Sequence, residues 1–511
     1  MNNHIKYEIT RLYTYLFHKL NMIIGRKKEL LYLQNIINSP KAELVAVYGR
    51  RRIGKTYLIR AFFQEKVTFY FNPTGMNKGS KQEQLFIFKS ELQKLFFTEN
   101  SLPQIKNWHQ AFTVLHNCLQ EKIAENKNIK ICIFLDELPW LANGSAELLK
   151  VIDHFWNTKF QYITQVKIIL CGSATTWIID KIINSRGGLH NRITGSIFLK
   201  PFTLKEASLY LSSNYFNWSK QDIIETYMIF GGVPYYLSLL NKTLSLHENI
   251  ATLCFDKGQL SNELENLYQA LFKNGEEYQK IISILSSAKS GLTRAMLLNK
   301  LNDISTGKLH KQLKELEQSG FIQIISNYKK VNRDAKLRVV DEFSLFAFNW
   351  MNKLKHSLST TKDLWHNVRN TQSYKIWCGY AFENLCYKNI DNIKSDLGFA
   401  AISSIAYPYF QQSSSGGLSS HGQEDQHKGV QIDLLFERSD RIIVLVELKY
   451  RSAPIVINED LLKELDIKTA KFIASTSTKK TVLVALVSNS QPIERVSSYK
   501  FAGIVNVEEW F

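Results

Sequence analysis

Nothing in the cysteine pattern suggests a disulfide framework or a zinc centre. The six cysteines, Cys118, Cys132, Cys171, Cys254, Cys378 and Cys386, form no C-x-x-C pair and no metal-ligand spacing. Cys132 and Cys171 sit inside apolar strand-like runs, where cysteine acts as a small buried hydrophobe, a usage that fits a reducing cytoplasm. A membrane span is missing too. The segment Leu12 to Ile24 is interrupted by His18 and Lys19, is shorter than a bilayer requires, and is followed by no small-residue cleavage site. It reads as a helix packed on the next domain, so the expected location is cytoplasmic, with no membrane partner. Internal repeats are absent. Low complexity is confined to Gln411–Gly429, rich in Ser, Gly, Gln and His, which is expected to be a mobile loop.

What is present is enough chain for about three or four domains, at 511 residues. Hydrophobic residues make up 45% and charged residues 22%, as in ordinary globular proteins. The formal charge of +18 favours anionic partners, nucleic acid first, unless it is a plain lysine-rich bias. Patterning divides the chain into an N-terminal helix (1–20), an alternating strand and helix zone typical of a parallel α/β sheet (21–200), and a helical zone (201–275). Three short helices with two strands follow (276–340), then a helical connector (341–375) and a mixed α and β zone (376–511).

The apolar run Leu44–Tyr48 leads directly into Gly49-Arg50-Arg51-Arg52-Ile53-Gly54-Lys55-Thr56, and a helical pattern follows from Tyr57 to Phe63. This is G-x-x-x-x-G-K-T between a strand and a helix, a P-loop whose backbone N–H groups cradle phosphate oxygens at a helix N-terminus. ATP or GTP is the expected ligand, with Lys55 on the β- and γ-phosphates and the Thr56 hydroxyl on Mg²⁺. A second apolar strand, Ile131–Leu135, delivers Asp136 and Glu137 to the sheet's C-terminal edge. Asp136 suits a Mg²⁺ ligand through water, and Glu137 the polarisation of the attacking water. A third strand, Lys167–Cys171, ends at Gly172-Ser173. Ser173 either bonds the γ-phosphate or lytic water, or simply caps the strand.

Ile24-Gly25-Arg26 with Glu29-Leu30, the P-loop, Leu135-Asp136-Glu137-Leu138-Pro139-Trp140-Leu141, Cys171-Gly172-Ser173-Ala174-Thr175 and Phe230-Gly231-Gly232-Val233-Pro234 occur in that order. Together, across roughly residues 21–340, they resemble the prokaryotic archaeal-type ATPases of the AAA+/STAND branch of P-loop NTPases. The resemblance implies a helical lid that brings Gly232 and Pro234 near the nucleotide. It also implies an arginine-finger role for Arg192, which competes with a structural salt bridge, because Asn191 stands where the family usually has Gly.

Residues 276–340 read as a winged helix. Ile281, Ile282 and Leu285 form one apolar face, Leu297, Leu298 and Leu301 another, and Leu309, Leu313 and Leu316 a third behind a Ser305 or Thr306 cap. Lys308, Lys311 and Lys314 on the third helix, with Lys329, Lys330, Arg333, Lys336 and Arg338 on the wing, suit sequence-independent phosphate contact. The competing reading is a winged helix packed internally to signal nucleotide state.

The C-terminal zone carries a second constellation. Val430–Phe436 and Ile442–Lys449 read as two strands joined near Ser439-Asp440, and alternation puts Glu447 and Lys449 on one face. A two-residue loop sets Asp433 opposite Val446, on the wrong face, whereas a three-residue loop sets it opposite Glu447. The spacing Asp–x₁₃–Glu–x–Lys resembles the PD-(D/E)XK nuclease superfamily, with Glu383 on an upstream helix in the place of an additional metal-proximal glutamate. The resemblance implies Mg²⁺ on Asp433 and Glu447, with Lys449 orienting water for phosphodiester attack. Ile432 stands where the superfamily has Pro, and a surface ion pair at a strand end is the competing reading. The expected whole is an α/β protein: a P-loop NTPase sheet with helical lid, a winged helix, and a restriction-endonuclease-like α/β domain. It is expected to use ATP and Mg²⁺ and to act on DNA, with a homo-oligomer left open.

Overall fold

The computed structural model describes residues 23–97, 102–184, 188–255, 257–288, 291–301, 304–329, 335–354, 361–411, 429–496 and 501–511. The expected N-terminal helix, Lys330, Arg333 and nearly all of the Gln411–Gly429 loop lie outside the described residues. The chain divides into two compact units, one running to Tyr210 and including Val233–Ser238, the other comprising Leu211–Gly232 and Leu239–Phe511.

The first unit is built on β1 (Glu43–Tyr48), β2 (Phe69–Phe71), β3 (Ile131–Leu135), β4 (Val166–Gly172) and β5 (Gly195–Phe198), in the order β2-β3-β4-β1-β5. Every pairing is parallel. Parallel strands need crossovers, whose helices cover both faces, so central strands read as continuous apolar runs. Alternation then sorts the side chains. Leu44 and Ala46 of β1 join Ile131, Ile133, Ile168 and Leu170 in one core, whereas Val45 and Val47 join Cys132, Phe134, Ile169 and Cys171 in the other. Helix α1 (Lys27–Asn38) and helix α2 (Lys55–Phe63) pack on the second face through Leu33, Leu58, Ile59 and Phe62. The carboxyl ends of β1, β3 and β4 deliver the P-loop, Asp136-Glu137 and Ser173 to one edge of the sheet.

The second unit includes α3 (Lys220–Phe230), then α4 (Gly275–Ser286), α5 (Arg294–Leu301) and α6 (Thr306–Gln318) beside a small antiparallel sheet. That sheet runs β6-β8-β7, from β6 (Leu292–Thr293), β7 (Ile322–Ile325) and β8 (Lys336–Val339). Ser305 caps α6 by accepting from the Lys308 N–H, and Leu309, Leu313 and Leu316 bury its apolar stripe. Beyond α7 (Gln372–Lys388), a mixed five-stranded sheet is assembled from β9 (Ser404–Gln411), β10 (Val430–Arg438) and β11 (Ile442–Lys449). A short parallel pair, β12 (Val456–Ile457) with β14 (Ile493–Glu494), flanks α8 (Glu459–Thr476). The large sheet is completed by β13 (Thr481–Ser488) and β15 (Gly503–Asn506), in the order β15-β13-β11-β10-β9.

The hairpin β7–β8 is docked on this C-terminal sheet. Asn327 exchanges two hydrogen bonds with the Phe410 backbone, and the Tyr328 hydroxyl donates to Glu437 at 3.1 Å. Of its described basic residues, Arg338 turns inward, Lys336 is half-buried and Lys329 stays exposed. Lys336 lies 3.6 Å from the Phe410 ring centroid, Lys329 donates to the Thr476 carbonyl, and Arg338 is buried. Lys308, expected to project from α6, is held by Glu277 at 2.7 Å. Among the described residues, no helix is long and apolar enough to cross a membrane.

Candidate functional sites

The P-loop is shaped by two glycines. Gly49 has φ 143°, and a Cβ there would sit 2.2 Å from the Leu199 carbonyl oxygen; Gly54, at φ 87°, turns the chain into α2. The Lys55 ammonium folds back to donate to the Gly49 and Arg50 carbonyls, both at 2.9 Å. Burial pushes its pKa down, and nearby Cys171, Glu137 and Asp136 offset this only in part. A buried cation held by carbonyl dipoles alone favours an incoming anion.

Thr56 donates to Asp136 at 2.8 Å, and the other Asp136 oxygen accepts from the Glu137 N–H. A neutral hydroxyl and a carboxylate together are a hard oxygen donor set that would suit Mg²⁺, the hydroxyl binding through a lone pair. Glu137 sits in the left-handed region, at φ 46°. Its carboxylate accepts from the Ser173 hydroxyl at 2.9 Å and from the Ser173 N–H. Ser173 thus fastens the Glu137 carboxylate. Since it orients Glu137, Ser173→Ala should lower the ATPase kcat about tenfold, the scale of one hydrogen bond to a charged group. ATP affinity should stay unchanged in a binding titration.

Beside the loop lies a cavity of about 530 Å³ walled by Ile23, Ile24, Tyr57, Phe202, Tyr210 and Tyr235. Arg51, Arg52, Ile53, Gly54, Lys55, Thr56 and Glu137 line its polar side, and Pro234 closes it. Gly232 belongs to the second unit and is not part of the lining. Sequence reasoning assigned no role to Arg26, which also lines the cavity. It donates to the Lys200 and Ile53 carbonyls and stacks 4.5 Å from the Phe202 centroid. The Ile24-Gly25-Arg26 string was its only signal. Arg192 is exposed and forms no ion pair with another described residue.

In the second unit the hairpin loop settles the register. Leu434 faces Val446 and Glu437 faces Ile443, leaving Ser439-Asp440-Arg441 as a three-residue loop with Arg441 at φ 66°. Asp433 therefore falls opposite Glu447. On its other side β10 slips by one residue against β9 between Ile432 and Leu435, a β-bulge that spans Asp433 and Leu434. Asp433 accepts from the Leu448 N–H at 3.2 Å, and the Tyr387 hydroxyl donates to its carbonyl. Burial, Glu447 and Glu383 raise its pKa to about 7.

The other carboxylates are neutralised by cations. Lys449 and Lys468 both lie 2.8 Å from Glu447, and each also reaches Glu464. Glu383 is bound by Arg338 at 2.8 Å, and Arg338 also donates to Asn384. Burial raises the Glu383 pKa, which Arg338 counters. Lys468 was missed by sequence reasoning, although Glu464 and Lys468 stand four residues apart on α8 as a readable pair. Among the described residues, no three carboxylate, His or Cys groups form a ready metal cage. The oxygens of Asp433 and Glu447 are nonetheless hard donors crowded enough for one to retain a proton, a repulsion that a divalent cation relieves.

Residues 23–240 match the family described as an ATPase domain predominantly from Archaea. The chain is 22% identical to an uncharacterized protein of Methanocaldococcus jannaschii over 458 residues, 88% of this chain and 90% of the other. An uncharacterized ATP-binding protein of the same organism is 49% identical over 45 residues, 9% of this chain and 76% of that one. Among solved structures, a Walker-type ATPase of Pyrococcus abyssi aligns at 19% identity over 64% of this chain and 96% of that chain, with a TM-score of 0.48. With the parallel sheet and its P-loop already in place, residues 23–240 are an ATPase domain of the type found predominantly in Archaea.

Proposed function

We propose that the chain is a Mg²⁺-dependent ATPase that acts on DNA, with nucleotide state gating a PD-(D/E)XK nuclease-like domain (376–511) behind a winged helix (276–340). The observation that carries this reading is the gathering of Asp433, Glu447 and Lys449 at one end of the β10–β11 pair, with Glu383 beside them. In the ATPase, the Gly49–Thr56 backbone wraps the phosphates and Lys55 neutralises them. Thr56 and Asp136 would hold the nucleotide's Mg²⁺, which supplies further charge neutralisation. Glu137, steadied by Ser173, orients the attacking water. Exposed Arg192 suits a finger offered to a neighbouring copy in a homo-oligomer.

In the nuclease-like domain Asp433 and Glu447 would hold Mg²⁺, whose role is to offset charge on a scissile phosphate. Lys449 holds and orients the attacking water. The net charge of +18 supports a DNA partner, and Lys311 and Lys314 remain exposed on α6. The capture of Glu447 by Lys468 favours a second reading, a nucleotide switch that holds DNA or a protein without cutting.

Purified protein incubated with supercoiled plasmid, ATP and Mg²⁺ separates the two. Nicked or linear product is expected from the wild type and should disappear in Lys449→Ala, while DNA binding in a gel-shift assay persists. Wild-type protein that binds plasmid yet never cuts it would leave the switch.

A further inference from the structure

A second cavity, of about 510 Å³, lies wholly within the second unit. Its volume falls within the roughly 300–1,000 Å³ of small-molecule sites. We propose that it binds a nucleotide-like ligand, with phosphate on Arg369, Lys375 and Arg451 and a nucleoside hydroxyl or amino group on Glu225.

The charge balance argues for an anion. Arg369, Lys375 and Arg451 line the cavity, and none of the three pairs with a carboxylate among the described residues. Glu225 supplies the lining's one carboxylate. Three cations converging on one space suit phosphate oxygens, because arginine offers paired N–H donors and lysine a compact point charge.

The rest of the lining argues for a nucleoside attached to that phosphate. Glu225 is 9% exposed, and its Oε1 accepts from the Tyr374 hydroxyl at 2.6 Å. Its second oxygen takes no donor from the described residues, leaving an acceptor for a ligand hydroxyl or amino group. His247 contributes a buried Nδ1 without a hydrogen-bond partner. Burial, and then Arg369, push the His247 pKa down to about 4, so it enters as a neutral imidazole able to bond a base edge or sugar hydroxyl. The rings of Tyr374 and Tyr450 supply aromatic wall against which a base can lie.

Two sources share this chemistry: a free mono- or dinucleotide, and the 5′-phosphorylated end of a nucleic acid. The test uses full-length protein carrying Lys55→Ala, so that the P-loop stays silent. Calorimetric titration is run with AMP, GMP, a cyclic dinucleotide, a 5′-phosphorylated DNA trinucleotide and inorganic phosphate. Saturable binding of at least one nucleotide is expected, weakened about tenfold or more by either Lys375→Gln or Arg451→Gln. Both side chains are exposed, so these variants should fold.

Glu225→Gln should weaken the nucleotide while sparing inorganic phosphate. Binding by the mononucleotides or the cyclic dinucleotide identifies a free effector, and binding by the trinucleotide alone identifies a strand end. No saturable binding up to about 1 mM, where affinity amounts to only about 4 kcal/mol, would overturn the proposal. So would nucleotide binding indifferent to Lys375→Gln and Arg451→Gln, or binding of phosphate with no gain from the nucleoside.

Discussion

Lys55→Ala is expected to abolish ATP binding at concentrations where the wild type is saturated. In the structure this ammonium is buried against two backbone carbonyls, an arrangement that a triphosphate would improve by supplying opposite charge. Two charge-assisted contacts at roughly 1.5–3 kcal/mol each correspond to about a hundred- to ten-thousandfold in affinity. Glu137→Gln should behave differently. It keeps the Thr56–Asp136 pair, so ATP still binds, but hydrolysis should slow by roughly 10²–10⁴-fold, because an amide is far less basic than a carboxylate. Fluorescent ATP titration and a phosphate-release assay read the two effects separately. Wild-type turnover in Glu137→Gln would remove Glu137 from the chemistry, and undiminished binding in Lys55→Ala would remove the P-loop reading itself.

Asp433→Asn is expected to flatten the pH dependence of stability and to abolish its rescue by Mg²⁺. In the folded chain Asp433 keeps its proton up to about pH 7, under burial and the charges of Glu447 and Glu383. An unfolded aspartate releases its proton near pH 3.9. Between those values the folded state binds more protons than the unfolded, so this residue's contribution to stability falls as pH rises from about 4 to about 7 and is constant outside that window. The slope inside it is at most about 1.4 kcal/mol per pH unit. Denaturant unfolding at pH 5 and pH 8 should therefore show the wild type losing stability relative to Asp433→Asn. Adding Mg²⁺ at pH 8 should restore much of that loss, since the cation replaces the proton, and should do little at pH 5. A pH slope identical in both proteins would take Asp433 out of the carboxylate cluster, and with it the proposed metal site.

The first unit was legible because its signals are local. An apolar run, two glycines at fixed spacing and a helix start lie within about twenty residues of Leu44, and the backbone does the rest. The hairpin register was decidable in form but not in fact. Whether two or three residues turn between Arg438 and Ile442 depends on Arg441 adopting φ 66°, which no residue type there announces. The bulge spanning Asp433 and Leu434 was invisible for a related reason, since it reflects how β10 meets β9, a strand that does not adjoin it in the sequence.

Partner choice was the least legible layer. Arg338 looks like any wing arginine until β7–β8 docks and lays its guanidinium over Tyr380 and against Glu383. Ser173 shows no bond to Glu137 until Glu137 turns into the left-handed region and meets it. In both cases the deciding contact spans tens of residues of chain and is set by packing, which pattern reading does not see.

All six thiols are buried, three of them in the first unit (Cys118, Cys132, Cys171) and three in the second (Cys254, Cys378, Cys386). Burial holds the Cys132 and Cys171 thiols well above their usual pKa, so a thiol reagent meets little thiolate until the chain opens. Each cysteine is thereby a stopwatch for the opening of its own surroundings, with no label to engineer. Added ATP should slow the first three clocks through the stability that a ligand lends to the unit it occupies. A guest in the second cavity, which Cys378 helps to line, should slow that clock before the others.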